Sequence, residues 1–216
     1  MTNRIFSRLR IGAVVALMGS VVLVACGSDE SSVDSLTIIA YDSFTPPEGA
    51  FDEFTRRTGI EVEIALAGDT GEMVAKAALT AGNPEGDVIW GVDNTLLSRA
   101  VTAQVFDPYV SDAAPIDVDL ISSSAGVATP VDFGDVCVNY DIAALDALGI
   151  TPPRTWAELT DPAYADLLVT PSASASSVGL AFLLASIAEF GDDEWSAFWT
   201  ELMDNGALVV DGWTEA

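Results

Sequence analysis

Ile60-Glu61-Val62-Glu63-Ile64-Ala65-Leu66 puts an apolar side chain at every second position for seven residues. Side chains of a strand point alternately to its two faces, so this period of two predicts a strand. Downstream, Gly68-Asp69-Thr70-Gly71 turns the chain into a helix predicted to run to residue 80, stopped by Gly82 and Pro84. Upstream, residues 48–58 read as a helix with Phe51 and Phe54 on one face and Gly59 as its C-cap. Before that helix, Leu36-Thr37-Ile38-Ile39-Ala40-Tyr41 is a β-rich run ending in the loop Asp42-Ser43-Phe44-Thr45-Pro46-Pro47. Further on, Asp87-Val88-Ile89-Trp90-Gly91-Val92 reads as a short buried strand, and Asp93-Asn94-Thr95 caps a helix over 96–103. The order β-α-β-α-β-α predicts an α/β fold with a parallel sheet and right-handed crossovers. Ligands of such sheets sit beyond the carboxyl ends of the strands, where the loops at Asp42, Asp69 and Asp93 fall.

The N-terminus carries Arg4, Arg8 and Arg10 and no acid, then an apolar run over 11–24 ending in Leu23-Val24-Ala25-Cys26. A basic flank, a short apolar stretch and small residues at a cleavage point make a secretory signal over 1–25. The run is short of the roughly 20 apolar residues that a membrane span needs. Leu-Val-Ala-Cys resembles the bacterial lipobox, which implies lipidation of Cys26. Gly27-Ser28-Asp29-Glu30-Ser31-Ser32 has linker chemistry, so 26–35 reads as a tether between membrane and folded body.

Removing 25 residues leaves 191, with all 33 acids retained against five bases, a net charge of about −28. Such a surface repels nucleic acid and anionic lipid heads, which leaves the lipid anchor as the only membrane contact. It suits a cationic ligand, and equally a protein of salty media. Histidine is absent, which removes Ser-His-Asp and Cys-His catalysis and the common zinc sites; no carboxylate pair is singled out by spacing. Carboxylate pairs could still do acid–base work, and no metal or cofactor is expected. Cys137, in the alternating run Asp135-Val136-Cys137-Val138-Asn139-Tyr140, is expected on one face of a strand as a buried, inert thiol with no disulfide partner.

The second half opens with the extended segment Val127-Ala128-Thr129-Pro130-Val131-Asp132-Phe133-Gly134. A helix follows Asn139-Tyr140-Asp141, and Thr155 caps another after Pro152-Pro153. Leu167-Leu168-Val169-Thr170 reads as a strand, followed by the low-complexity patch Pro171-Ser172-Ala173-Ser174-Ala175-Ser176-Ser177. The helix predicted over 178–190 is apolar nearly all round and expected to be buried. A helical pattern through Trp195, Phe198, Trp199 and Leu202 leads to the strand Ala207-Leu208-Val209-Val210 and then Asp211-Gly212-Trp213-Thr214-Glu215-Ala216. Two α/β lobes of ordinary size need about 300 residues. The organisation expected is therefore lobe 1 over 36–130 and an incomplete lobe 2 over 131–216, without its return crossing.

The tether, Tyr41-Asp42-Ser43-Phe44, the Asn139-Tyr140-Asp141 exit and Pro153-Arg154-Thr155-Trp156-Ala157-Glu158-Leu159 resemble the periplasmic solute-binding proteins of ABC importers. Within them, Tyr41-Asp42-Ser43-Phe44, Asp87-Val88-Ile89-Trp90-Gly91-Val92-Asp93-Asn94-Thr95-Leu96-Leu97, Pro130-Val131-Asp132-Phe133-Gly134 and Gly212-Trp213-Thr214-Glu215-Ala216 look most like the thiamine-binding branch. The resemblance covers nearly all of 36–216. It implies a two-lobe fold, closure on thiamine or a thiamine phosphate, and delivery to an ABC transporter permease. The location implied is the periplasm or the outer face of the cytoplasmic membrane.

The same resemblance places ligand contacts at Asp69, Thr70, Ser174, Ala175 and Trp213. A carboxylate at 69 suits an aminopyrimidine amine or a cationic thiazolium. Asp69 with Glu72 three residues on is equally a capping box. The helix N-terminus and serines around 174 suit a ligand hydroxyl or phosphate, although Ala175 lacks the hydroxyl usual in the family; the serines would equally cap the helix. An indole at 213 stacks on an aromatic cation. Trp156, Trp195 and Trp199 fall at helix starts or on helical periods and read as structural. The expectation is that Asp69 and Trp213 face one another across a cleft between two lobes, in a pocket this stretch alone does not complete. Ferric iron and polyamine receptors of the same fold are the alternatives, and a carboxylate-based surface hydrolase is the rival from another class.

Overall fold

A computed structural model of the protein describes residues 34–109, 111 and 126–216. The signal segment 1–25, Cys26 and the tether up to residue 33 lie outside the described residues.

The alternating run forms strand β2 (Glu61–Leu66), paired in parallel with β1 (Ser35–Ala40) from Ser35↔Glu61 to Ala40↔Leu66. On its other side β1 pairs in parallel with β3 (Val88–Trp90), which gives the sheet order β2-β1-β3. The crossovers are helix α1 (Asp52–Thr58) and helix α2 (Thr70–Leu79). Helix α1 starts at Asp52 rather than at 48, because Pro46-Pro47 and Gly49 spend the preceding residues in turns closed by Ala50 N–H to Pro47 and Asp52 N–H to Gly49. Central position makes β1 the buried strand, with Ile38 and Ala40 in the core beside Met73 of α2. Val74 joins Leu96 and with Ala100 of α3 (Leu97–Thr102) forms a second apolar cluster, against which Val92, Val105, Phe106 and Leu180 pack. Asp93 closes the turn before that helix, its Oδ1 accepting from Leu96 N–H and Thr95 Oγ, while the N-cap position itself falls on Leu96 without a side-chain bond.

The second half builds a two-stranded parallel sheet, β4 (Val169–Pro171) with β5 (Leu208–Val210), in register from Val169↔Leu208 to Pro171↔Val210. Before it, Asp141 caps α4 (Ile142–Leu148) through a 3.0 Å bond from Ala144 N–H. Thr155 and Glu158 form a reciprocal capping box at the 3₁₀ turn Ala157–Thr160. The β4–β5 crossover is α5 (Ser177–Asp204), broken at Gly191, whose φ of 73° lies outside helical space. Leu159, Phe198, Leu202 and Ala207 make the core here, ringed by Trp156, Leu168, Phe182, Phe190 and Trp199. Trp199 donates Nε1–H to the buried Ser186 hydroxyl at 2.8 Å, so this indole is spent inside the fold.

Two expectations are corrected. Residues 135–140 form no strand, and Cys137 is an exposed free thiol rather than a buried one. A strand exists only with a partner, and among the described residues β4 and β5 pair only with each other, so the alternating run stays extended with Val136 and Val138 nearly half exposed. The first part of α5 is not buried all round: Leu184 is 47% exposed, because its aromatic cluster covers one side only.

Candidate functional site

Parallel strands direct all their following loops to one end of a sheet, and here those ends meet. Asp69 follows β2 and is the N-cap of α2, with extended φ/ψ of −68° and 166°. Its Oδ1 accepts from Thr70 N–H at 2.5 Å and its Oδ2 from Trp213 N–H, 144 residues away, at 2.9 Å. Asp69 and Thr70 are both buried, at 7% and 3% exposure. The loop after β4 packs on the same helix end: Ala175 carbonyl oxygen accepts from Glu72 N–H at 3.2 Å. Gly71 is what allows this approach, since a Cβ there would lie 2.5 Å from the Ala175 oxygen and 2.9 Å from that of Ser174.

All five residues that the resemblance implicated, Asp69, Thr70, Ser174, Ala175 and Trp213, therefore come together from three loops. Ser174 is exposed and shares a 2.8 Å hydroxyl bond with Ser172, whose own N–H donates to Val210 at 2.7 Å. The Trp213 indole is 45% exposed. The expected gap between Asp69 and Trp213 is absent. The carboxylate bonds the tryptophan's backbone, not its ring face. Behind the indole lies a separate cavity of about 550 Å³, walled also by Trp156, Phe182, Arg154 and Cys137. Asp69, Thr70, Ser174 and Ala175 do not line it.

The exit of β1 adds two residues that the sequence reading did not single out as contacts. Asp42 donates its N–H to Gly68 at 3.0 Å, while its Oδ1 is shut from solvent without a hydrogen-bond partner. The Tyr41 ring lies over Gly91, where any Cβ would strike it, and meets Phe44 edge-on at 5.9 Å. The available signal was an aromatic-acid pair directly beyond a strand's carboxyl end. Burial raises the Tyr41 pKa above 10.0, and the nearby Asp132 and Asp69 charges push the same way by opposing a phenolate. An acid whose folded pKa is raised holds its proton after the unfolded chain has released it. The stability it contributes is complete below the unfolded value near 10 and falls as pH rises through it. Ultraviolet phenolate titration should show a late component that Tyr41→Phe removes; an unchanged titration curve at high pH in that variant would contradict the assignment.

Two parallel sheets whose carboxyl-end loops meet form the arrangement in which open α/β folds place their ligands. The chain belongs to the bacterial extracellular solute-binding protein family, whose pattern matches residues 83–212. It is 24% identical over 200 residues to the thiamine-binding periplasmic protein of Salmonella typhimurium and 25% identical over 202 residues to that of Escherichia coli. Each match covers 90% of this chain and 59% of the relative, so the chain spans little more than half the length of these proteins. Among solved structures it resembles a periplasmic thiamin binding protein with a TM-score of 0.64 at 23% identity, over 84% of this chain and 57% of that one. That likeness shows the periplasmic-binding-protein fold.

Proposed function

We propose that the protein is the extracytoplasmic receptor of an ABC importer and that its ligand is thiamine, free or phosphorylated. The observation that carries this is the convergence of Asp69, Thr70, Ser174, Ala175 and Trp213 at the shared carboxyl ends of two parallel sheets. The similarity of the chain to proteins named as thiamine-binding supports the same ligand. An indole stacks on the cationic thiazolium or the pyrimidine, with a face contribution of about 0.5–2 kcal/mol. The surrounding negative charge, −25 over the whole chain, attracts a cation at long range. Residues 36–130 and 131–216 act as two lobes that close on the ligand, and closure extends only as far as the ligand prefers the closed state. Cys26 carries the lipid that holds the receptor at the outer face of the membrane, within reach of its permease. The receptor performs no chemistry on what it binds.

Tryptophan fluorescence of the full-length protein, titrated in parallel with thiamine, spermidine and ferric citrate, tests the reading. Saturable quenching by thiamine alone is expected. A response confined to spermidine or to ferric citrate would replace thiamine by that ligand.

A further inference from the structure

We propose that Asp69 is a positioning residue, whose carboxylate ties the segment after β5 to the start of α2 and thereby sets the angle of the Trp213 indole. The inference rests on the reading of Trp213 as a ligand contact and gives Asp69 a different role from the direct one. Both carboxylate oxygens already hold backbone N–H groups, one from Thr70 and one from Trp213. The whole residue is only 7% exposed, which leaves little surface for a ligand. The Thr70 bond fixes the rotamer, and the remaining oxygen is then aimed at the peptide from which the indole springs.

Little else holds that peptide. The β4–β5 ladder ends at Val210, and Ser172 N–H to Val210 is its last bond. Past it, the bond to Asp69 is the only hydrogen bond among the described residues that reaches Asp211, Gly212 or Trp213 from another element. Gly212 makes room for the tie, since a Cβ there would stand 3.2 Å from Asp69 Oδ2 and 3.3 Å from its Cβ. The carboxylate thus joins the helix end of the first sheet to the strand exit of the second at the root of the exposed ring. No isolated N-cap needs that geometry.

Asp69→Asn isolates this role. Asparagine is as good an N-cap as aspartate, so α2 still starts, but its amide has one acceptor oxygen where the carboxylate has two. One of the two N–H groups must lose its partner. The test is a double-mutant cycle with Trp213→Ala in the full-length protein, read by thiamine affinity and by the emission of Trp213 isolated as a difference spectrum. Asp69→Asn should shift that emission in the ligand-free protein. It should weaken thiamine binding about tenfold with the tryptophan present and less than twofold in the Trp213→Ala background. Equal losses in both backgrounds, or an unchanged emission, would overturn the proposal and return Asp69 to direct contact or plain capping. If the parent protein does not bind thiamine at all, the ligand assignment falls, while the ligand-free emission still judges the tie. Gly212→Ala strains the tie from the other side with the carboxylate intact. It should shift the same emission in the same sense, which keeps the proposal testable if Asp69→Asn fails to fold.

Discussion

Gly71→Ala is expected to destabilise the protein by about 1–3 kcal/mol, the usual cost of forcing an extra carbon into a packed site, and to weaken ligand binding at least tenfold. Helix propensity predicts the opposite sign. Gly71 lies in the first turn of α2, and alanine there gains about 0.8–1 kcal/mol over glycine. Geometry decides against propensity, because the new Cβ would stand within 3.0 Å of three backbone atoms of Ser174 and Ala175, none of which can rotate away. The loop must retreat, and Glu72 N–H then loses the Ala175 oxygen at a further cost of about 0.5–1.5 kcal/mol. Retreat also displaces Ser174 and Ala175, two of the candidate contacts, which is why affinity falls with stability. Chemical denaturation and a thiamine titration measure the two effects. A stabilised variant with full affinity would mean that the loop after β4 and the start of α2 stand further apart than a 3.2 Å bond between Glu72 N–H and the Ala175 oxygen allows.

Why this glycine matters was not legible in the sequence, and the reason is general. The helix starts were legible because a cap is encoded within four residues: Asp69, Asp93 and Asp141 each satisfy backbone N–H groups in their own neighbourhood. The parallel sheet was legible because period two and intervening helices are local patterns, and residues 61–66 kept theirs as β2. Contacts between loops more than 100 residues apart, such as Gly71 with Ala175 or Asp69 with Trp213, leave no such trace. Family resemblance pointed to the residues without saying how they meet. It put Asp69 opposite the indole across a gap, whereas the bond runs to the backbone beneath it.

The misread elements share a physical cause of another kind. Alternation in 135–140 is a property of the chain, but a strand is a property of a pair, and no partner strand lies alongside among the described residues. The apolar circumference of α5 likewise states which surfaces are fit for burial, not which neighbours bury them. Leu184, Val136 and Val138 are exposed for that reason, and Cys137 with them. The candidate site is better specified at Asp69 and Thr70, which sit at a helix start that local hydrogen bonds fix, than at Trp213, which a bond from 144 residues away holds.

Trp213→Ala is expected to lower thiamine affinity by about 1–3 kcal/mol, the range found when alanine removes an aromatic ring stacked on a heterocycle, or roughly five- to 150-fold. Stability should change far less. The indole is 45% exposed and belongs to neither apolar cluster, unlike Trp199, whose ring N–H is bonded inside the fold. That contrast makes Trp199→Ala the matched control, expected to cost stability through its lost packing and the lost indole bond to the Ser186 hydroxyl, which keeps its own bond to the Leu183 carbonyl oxygen. Trp213→Phe should recover part of the affinity, since a smaller ring keeps a face for the ligand but offers less area and a weaker attraction for a cation. Neutral ring analogues of thiamine separate the two contributions. If the cation matters, the loss on Trp213→Ala should be larger for thiamine than for an uncharged analogue of the same shape. Equal losses would assign the indole to dispersion and burial alone, and an unchanged thiamine affinity would remove Trp213 from the site.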